Sequence, residues 1–482
     1  MSTSESPIVT EIPNRPPGKN RAVFHRVMAG AVAFAGLALI AAALLMSRPA
    51  EGQTAFPEPQ QLVSENGVLK ATLTVSRQQV DIGGTPIVAT VYNGSFVGPT
   101  FHVKPGDHVE ISLVNTLGEM TNLHFHGLHV SPSGDADNIF LEVLPGQTQQ
   151  YVLDIPANHP TGTYWYHAHM HGLAEEQIFG GLAGLFVVDG LTDLLPADLH
   201  DVKQQAFVLK DYQAKDGAIL TENIDSNAPT TRTVNGAVEP TASIDSGETQ
   251  LWSIVNASAD IYYDVQLTGH QFHVVAEDGN PVWQVKSADS LVMPPGKRFD
   301  VLVQGAAPGA YELKTLAYDQ QGDQYPEAPL ATVTVNASSL TPATLPEKMI
   351  EPIDLATADI ANSRTLVFDK DQAAGTFTID GKIFDPNRVD QTVKLGSIEE
   401  WTIRNDNNQQ HPFHIHVDSF QVMSINGEPY NAVNRQDVVN LPANGEVVVR
   451  IPFDEFTGKF VYHCHILNHE DRGMMGIVEV VP

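Results

Sequence analysis

An internal repeat constrains this 482-residue chain more than any other feature of its sequence. A turn containing Pro or Gly, followed by an alternating apolar and polar run, occurs three times, at 144–156, 293–303 and 441–452. Each copy precedes a Gly-x-aromatic strand pattern, and the glycines Gly162, Gly309 and Gly458 lie 147 and 149 residues apart. Short alternating runs bounded by Gly, Pro and Asn are typical of β-strands, so this period predicts three successive β units.

The repeat predicts an all-β fold of three consecutive sandwich or barrel domains. We place the domains at 60–190, 203–340 and 353–482, with linkers near 190–203 and 339–353. The chain length agrees with three domains of about 150 residues each. Long amphipathic helical patterns are missing from the sequence after residue 60.

The charge balance excludes one broad class of partner. The net charge is −30, and basic residues form no cluster in the bulk of the chain. A nucleic-acid-binding protein needs a positive surface against phosphate, so we expect no nucleic-acid partner. Cys464 is the single cysteine, so no internal disulfide can form.

The N-terminal part of the sequence carries a membrane signal. Residues 27–46 form an uncharged apolar run of 20 residues, and four basic residues precede it. A helix of this length spans a bilayer, and the upstream positive charge predicts that residues 1–26 stay in the cytoplasm. The run is longer than that of an ordinary signal peptide, which favours an uncleaved anchor, with cleavage left open. We therefore predict an exported protein at the periplasmic or extracellular face, touching the membrane through this helix alone.

Four histidine clusters, with ten of the 19 histidines, carry the chemistry of this sequence. They are His124-Phe-His126, His167-Ala-His169, His411-Pro-Phe-His414-Ile-His416, and His463-Cys-His465 followed by His469. Residues two apart on a strand face the same side, so each His-x-His aims two imidazoles at one place. The four pairs supply eight nitrogens, enough for two or three metal ions. The middle repeat has Lys314 and Leu316 in place of a His-x-His pair, so the fold does not need these histidines.

The cysteine lies inside one of these pairs. Strand alternation turns Cys464 away from His463 and His465, toward the opposite face. There it can join His411 and His469 to form a Cys-His₂ set, with Met474 as a weak axial ligand. This combination is typical of an electron-transfer copper site. One cysteine would then link two metal sites through its two backbone neighbours, a short covalent path for electrons.

With these clusters, residues 60–482 resemble the three-domain multicopper oxidases, a group that includes laccases, bilirubin oxidases and copper-efflux oxidases. The resemblance implies cupredoxin-like Greek-key domains, four copper ions per chain, and a three-copper cluster between the first and third domains with the middle domain as a spacer. The implied ligands are His411, Cys464, His469 and Met474 for type 1 copper; His124 and His414 for type 2 copper; His126, His167 and His465 for one type 3 copper; and His169, His416 and His463 for the other.

The resemblance also implies an activity. A reducing substrate would lose single electrons at the type 1 copper, and O₂ would be reduced to water at the cluster by a monomeric catalytic unit. Glu470 and Asp137 resemble the proton-relay carboxylates of the family, and Asp135 is a rival to Asp137. The substrate class stays open among phenols, aromatic amines, pigments and metal ions, since the sequence has no methionine-rich segment of the kind that gathers cuprous ions.

Two other functions compete with this interpretation. A copper nitrite reductase needs no type 3 pair, so the eight cluster histidines would be superfluous. A copper-binding electron carrier, or a structural cupredoxin without O₂ turnover, would need no filled cluster. Oxygen uptake by copper-loaded protein separates the carrier from the oxidase.

Overall fold

The computed structural model describes residues 56–351 and 353–482 of the chain. The predicted cytoplasmic stretch 1–26 and the predicted membrane helix 27–46 lie outside the described residues, so both stay predictions. Within the described part, no helix is long and apolar enough to cross a membrane. The strands that follow fill most of these residues, which confirms the all-β prediction.

The first third of the described chain forms nine strands and one helix. The strands are β1 (Gln61–Val63), β2 (Val68–Ile82), β3 (Thr85–Tyr92), β4 (Thr100–Val103), β5 (His108–Asn115), β6 (His124–His126), β7 (Thr148–Asp154), β8 (Gly162–His167) and β9 (Ala183–Val188), and α1 is Ala174–Gly180. One sheet has the order β1-β4-β9-β8-β6, and a second sheet contains β3-β2-β5-β7. In β5 buried and half-buried residues alternate strictly, as expected for a strand with one face on the core.

The middle third contains fifteen strands in the same kind of arrangement. They are β10 (Lys203–Tyr212), β11 (Ala214–Lys215), β12 (Ala218–Ile219), β13 (Thr231–Val234), β14 (Thr241–Asp245), β15 (Thr249–Asn256), β16 (Tyr263–Leu267), β17 (Phe272–Glu277), β18 (Asn280–Ala288), β19 (Leu291–Met293), β20 (Arg298–Gln304), β21 (Gly309–Thr315), β22 (Tyr318–Asp319), β23 (Gln324–Tyr325) and β24 (Ala328–Asn336). Its main sheets have the orders β13-β10-β15-β20-β17-β18 and β14-β24-β21-β16-β19, and β22 pairs with β23. Strands β11 and β12 instead extend the sheet of the first third beside β3. Two 3₁₀ turns, Leu191–Leu194 and Ala197–Leu199, precede this third.

The last third contains twelve strands and a short helix. They are β25 (Asn362–Asp371), β26 (Thr376–Ile379), β27 (Gln391–Lys394), β28 (Ser397–Asn405), β29 (His411–Ile415), β30 (Phe420–Ile425), β31 (Glu428–Pro429), β32 (Arg435–Gln436), β33 (Val438–Leu441), β34 (Glu446–Phe453), β35 (Gly458–Cys464) and β36 (Met475–Val481), with α2 at Leu467–Asp471 and a 3₁₀ turn at Leu355–Thr357. The sheets have the orders β26-β25-β28-β34-β30-β31, with β32 also beside β30, and β27-β36-β35-β29-β33.

The strand pairing repeats three times, as the sequence predicts. In each third of the chain, two strands pair in parallel, and the second of them also pairs antiparallel with another strand. These strand sets are β2-β5-β7, β10-β15-β20 and β25-β28-β34. In each third a second sheet joins a short strand to the Gly-x-aromatic strand: β6 to β8, β16 to β21 and β29 to β35. These last pairs hold the histidine clusters in the outer thirds. The domain boundaries themselves stay a prediction.

Candidate metal centres

The two outer thirds bring their histidine pairs together in matching registers. His124 of β6 lies opposite His167 of β8, and His414 of β29 lies opposite His463 of β35. The second histidine of each pair lies on the same strand or within two residues of its end. All eight imidazoles are at most 1% exposed: His124, His126, His167, His169, His414, His416, His463 and His465. These side chains therefore lie in one buried region, as the period of two along a strand predicts.

Three ring nitrogens converge at one point of this region. Nε2 of His463 lies 3.2 Å from Nε2 of His169 and 3.3 Å from Nε2 of His416. Two nitrogens bound at about 2.0 Å to one tetrahedral metal ion are about 3.3 Å apart, so these separations fit a shared ion. His169 belongs to the first third of the chain, whereas His416 and His463 belong to the last third. An ion bound here would therefore link the first third to the last third.

A second set of nitrogens converges beside the first. Nε2 of His465 lies 3.2 Å from Nδ1 of His126. Nε2 of His167 is buried and has no hydrogen-bond partner, and the same holds for Nε2 of His124 and of His414. A buried polar atom without a hydrogen-bond partner costs about 1–3 kcal/mol. A bound metal ion would remove this cost, so several unpaired nitrogens in one buried region are typical of metal ligands. These residues therefore fit a copper site, since imidazole is a suitable ligand for copper.

Hydrogen bonds to the outer ring nitrogens orient several of these imidazoles. Nδ1 of His124 lies 3.0 Å from Oδ1 of Asp137, and Nδ1 of His414 lies 2.8 Å from the Asp437 carbonyl. Nδ1 of His167 lies 2.9 Å from the Ala168 carbonyl. A partner on Nδ1 fixes the tautomer in which Nε2 carries the lone pair that a metal needs.

Asp437 is a supporting residue that sequence reasoning missed. Its Oδ1 lies 3.0 Å from Nε2 of His126, and both of its oxygens accept from the Arg298 guanidinium at 2.6 and 2.7 Å. Arg298 is fully buried and belongs to the middle third. The middle third, which was expected to act as a spacer, therefore also supplies the cation behind a cluster histidine. The one available signal was the Lys-Arg pair in the middle repeat, Lys297-Arg298, at a place where the outer repeats have no basic residue.

Burial sets the protonation of the cluster. Desolvation lowers the pKa of every cluster imidazole, to about 4 for His169 and for His463. Neighbouring imidazoles lower the pKa of His124 further, because two adjacent rings cannot both carry a proton. The rings are therefore neutral near pH 7 and able to bind a metal ion.

The cysteine forms a separate site on the other face of β35. Sγ of Cys464 lies 3.4 Å from Nδ1 of His411 and 3.6 Å from Nδ1 of His469, and the two nitrogens are 3.1 Å apart. Met474 is fully buried, and its carbonyl accepts from the Cys464 amide at 3.1 Å. Burial raises the pKa of the Cys464 thiol, so a bound cation is needed to hold it as a thiolate. This donor set fits the Cys-His₂ site of an electron-transfer copper.

The two predicted relay carboxylates lie against the cluster. Glu470 is fully buried, and its Oε2 lies 3.0 Å from Nδ1 of His463 and its Oε1 3.5 Å from Nδ1 of His169. Neither contact has the geometry of a hydrogen bond. Asp137 is 2% exposed and also accepts from the Phe125 amide at 2.9 Å. Burial raises the pKa of Glu470 to about 7 and that of Asp137 to about 8. The rival carboxylate, Asp135, is exposed and accepts instead from Gln149.

A cavity of about 750 Å³ opens onto the cluster at His169. Its walls are largely apolar and come from both outer thirds, including Ile139 and Phe384. Three methionines that are far apart in the sequence also line it, namely Met120, Met170 and Met475. The cavity therefore extends from solvent to His169, whose side chain is itself fully buried.

Comparisons with known proteins agree with this geometry. Three family models, each described as multicopper oxidase, match residues 74–193, 186–337 and 356–482. The chain is 28% identical over 453 residues to a protein named multicopper oxidase mco from Staphylococcus haemolyticus, covering 90% of this chain and 94% of that protein. It is also 30% identical over 467 residues to the cell division protein FtsP of Dickeya dadantii, covering 91% and 95%. A solved structure described as a multicopper oxidase and metallo-oxidase from Campylobacter jejuni superposes with a TM-score of 0.77 at 28% identity, covering 90% of this chain and 98% of that one.

Proposed function

The chain belongs to the multicopper oxidase family, and from this premise we propose that it couples one-electron oxidation of a small reducing substrate to the four-electron reduction of O₂ to water. Two buried donor sets joined by one strand carry the proposal. Cys464 lies with His411 and His469 on one face of β35, while its neighbours His463 and His465 lie among the cluster histidines.

We propose that the ligands are those that the family resemblance implies. His411, Cys464, His469 and Met474 would hold type 1 copper, His124 and His414 type 2 copper, and His126, His167, His169, His416, His463 and His465 the type 3 pair. Bound copper would supply one-electron redox chemistry at the first site and the multi-electron chemistry that O₂ reduction requires at the second.

The protein's own contribution begins with electron transfer. His469 keeps 7% of its surface exposed, whereas His411 is fully buried, so the His469 ring is the edge through which an external donor reaches the first site. The backbone neighbours of Cys464 are His463 and His465, and their imidazoles belong to the second site. The electron path between the two sites therefore follows covalent bonds of the backbone, and burial of this strand keeps water away from it.

Reduction of O₂ to water also requires protons in a buried place. Glu470 lies beside Nδ1 of His463 and Nδ1 of His169, and Asp137 beside Nδ1 of His124. We propose that these two carboxyl groups hold and pass protons to the oxygen atoms being reduced, as general acids do. The apolar cavity at His169 offers O₂ a path to the same place.

A second candidate function is copper binding or electron transfer without O₂ turnover. The similarity to a protein named cell division protein FtsP favours this function, because a relative of this length carries a name other than oxidase. Against it stands the complete set of eight cluster histidines, which a carrier does not need.

Oxygen uptake by the copper-loaded protein separates the two functions. We expect about four copper ions per chain, a blue absorption band, and O₂ consumption with a phenylenediamine or phenolic donor. Cys464→Ser is the matched control, which should lose the blue band and most O₂ uptake while keeping the cluster copper. A blue protein that consumes no O₂ would establish the carrier and reject the oxidase.

We also propose that the protein acts on the outer side of a membrane. The proposal depends on the apolar sequence at 27–46 and the basic residues before it. A fusion of a periplasm-dependent reporter to the C-terminus should be active, and an inactive fusion would reject this orientation.

A further inference from the structure

Two cations border the exposed edge of the cysteine site. The Phe377 ring stacks on the His469 ring, with 3.8 Å between centroids and 23° between planes. Nζ of Lys370 lies 4.9 Å from the centre of the Phe377 ring, and Cζ of Arg472 lies 5.4 Å from it. Both positive charges are therefore within one aromatic ring of the imidazole that receives electrons.

Neither cation is neutralised by a carboxylate in the described part of the chain. Lys370 and Arg472 form no ion pair there, and Arg472 donates to the neutral oxygens of Gly375 and Asn468. They differ in this from several basic residues elsewhere, such as Arg364 and Arg450, which pair with carboxylates. Their charge is thus available to an incoming molecule.

The carboxylates near these cations are already engaged. Asp371 accepts from the backbone amides of Ala373 and Ala374 at 2.9 and 3.0 Å, within its own turn. Asp471 accepts from three backbone amides at the start of α1. Glu470 is fully buried on the cluster side. Amide hydrogen bonds do not neutralise a carboxylate, but neither these groups nor Glu175, which accepts from Asn468 at 3.0 Å, forms an ion pair with Lys370 or Arg472 in the described part of the chain. Two unpaired cations therefore lie at the edge of the cysteine site, although the whole chain carries a net charge of −30.

An exposed apolar side chain lies beside the same cations. Ile383 is 52% exposed, which is high for a large aliphatic residue. A Cβ atom built at Gly473 would lie 2.8 Å from Cβ of Ile383 and 2.9 Å from the Phe377 carbonyl, so Ile383 packs against the loop that follows Arg472. The surface thus offers a neighbouring apolar contact and two positive charges.

We propose that this surface, formed by Lys370, Phe377, Ile383 and Arg472, binds the reducing substrate, and that the preferred substrate is an anionic aromatic molecule such as a carboxylated phenol. The inference rests on the proposed function and specifies its donor. The aromatic ring lies over Ile383 near the His469 edge, and its carboxylate faces the two cations. A hydrated divalent metal ion would meet like charge here, and the nearby carboxylates are not free to bind it.

Three catechols of similar size test the charge preference: 3,4-dihydroxyphenylacetate, 4-methylcatechol and dopamine, which carry negative, zero and positive charge. We expect kcat/KM to fall in that order at low ionic strength, by about threefold per unit charge at separations of 5–8 Å. High salt should remove the order, because it screens exposed charges. The double variant Lys370→Glu with Arg472→Glu should reverse the order, whereas Lys215→Glu, an exposed lysine on another sheet, should leave it unchanged.

Two further measurements do not require O₂ turnover. Anaerobic bleaching of the blue band by the three catechols should follow the same order and the same reversal. Saturation-transfer NMR should detect 3,4-dihydroxyphenylacetate on the copper-free wild-type protein and lose the signal in the double variant. An equal or inverted order in the wild type, or a double variant that behaves like the wild type, would overturn the proposed donor class. Bleaching in the expected order without O₂ uptake would instead reject the oxidase and keep the donor site.

Discussion

At the residue scale, each face of β35 has its own chemistry. His463 and His465 point to the cluster and Cys464 to the other site, as alternation along a strand requires. The sequence was sufficient to predict these directions, because they follow from a period of two and need no knowledge of the fold. It was not sufficient to predict Asp437, since no spacing links this residue to His126, which lies 311 positions earlier.

The axial position of the cysteine site is tested by Met474→Leu. A thioether is a weak ligand to a blue copper and stabilises the oxidised ion slightly, so its removal should raise the type 1 potential by tens of millivolts or more. Redox titration of the blue band measures this. An unchanged potential would show that Met474, although buried, does not act on the metal.

The proton relay is tested by Glu470→Gln and Asp137→Asn. Each variant keeps the size of the side chain but cannot donate a carboxyl proton, so O₂ reduction should slow by about tenfold or more. The intensity of the blue band and its rate of reduction by donor should stay the same, because both carboxyl groups contact cluster histidines rather than Cys464. Asp135→Asn is the matched control, and unchanged turnover in both relay variants would reject the relay.

At the scale of elements, a contact between the two short helices holds the outer thirds together. Asp471, the last residue of α2, accepts from the amides of Gly172, Ala174 and Glu175 at 2.6, 3.3 and 2.9 Å. It thereby caps α1, whose own N-cap residue, Leu173, supplies no side-chain hydrogen bond. The sequence shows no long helical pattern and did not reveal this pair, because each helix is only one or two turns long and depends on a tertiary partner.

We expect Asp471→Ala to lower the free energy of unfolding by about 1–2 kcal/mol, the usual value of a helix cap. The first amides of α1 would lose their acceptor, so the thermal midpoint should fall by a few degrees in calorimetry. Asp471→Asn, which keeps an acceptor oxygen, should lose less. Equal stability of the alanine variant and the wild type would show that water replaces the cap at no cost.

At the scale of the whole molecule, the middle third supports a site to which it gives no ligand. Arg298 pairs with Asp437, and Lys297 donates to the Val438 carbonyl and to Gln436, at 3.0 Å in each case. These two basic residues of the middle third therefore fix residues 436–438 of the last third, and this segment supports the cluster through Asp437. The threefold repeat and the histidine sites could be predicted from local patterns. This bridge between repeats joins residues 139 apart, and its one trace in the sequence is the Lys297-Arg298 pair, which does not name its partner.

We predict that Arg298→Met destabilises the protein by about 3–5 kcal/mol, because it leaves a buried carboxylate without its cation. Copper content should fall mainly at the cluster, since Asp437 contacts His126 and not the cysteine site. Arg298→Lys keeps the charge but cannot make the bidentate contact, and should lie between the methionine variant and the wild type. Unfolding curves and copper analysis measure both effects. A methionine variant with full stability and full copper would show that the bridge has no role.

We propose that Cys464 connects a one-electron site to a multi-electron site. A single-turnover experiment can test this connection. The copper-loaded protein is fully reduced without oxygen and then mixed with a series of limiting O₂ concentrations. We predict that each chain consumes one O₂, releases no hydrogen peroxide, and recovers its blue band as O₂ is used. Recovery of the blue band with release of peroxide, or with no stoichiometric uptake of O₂, would contradict it.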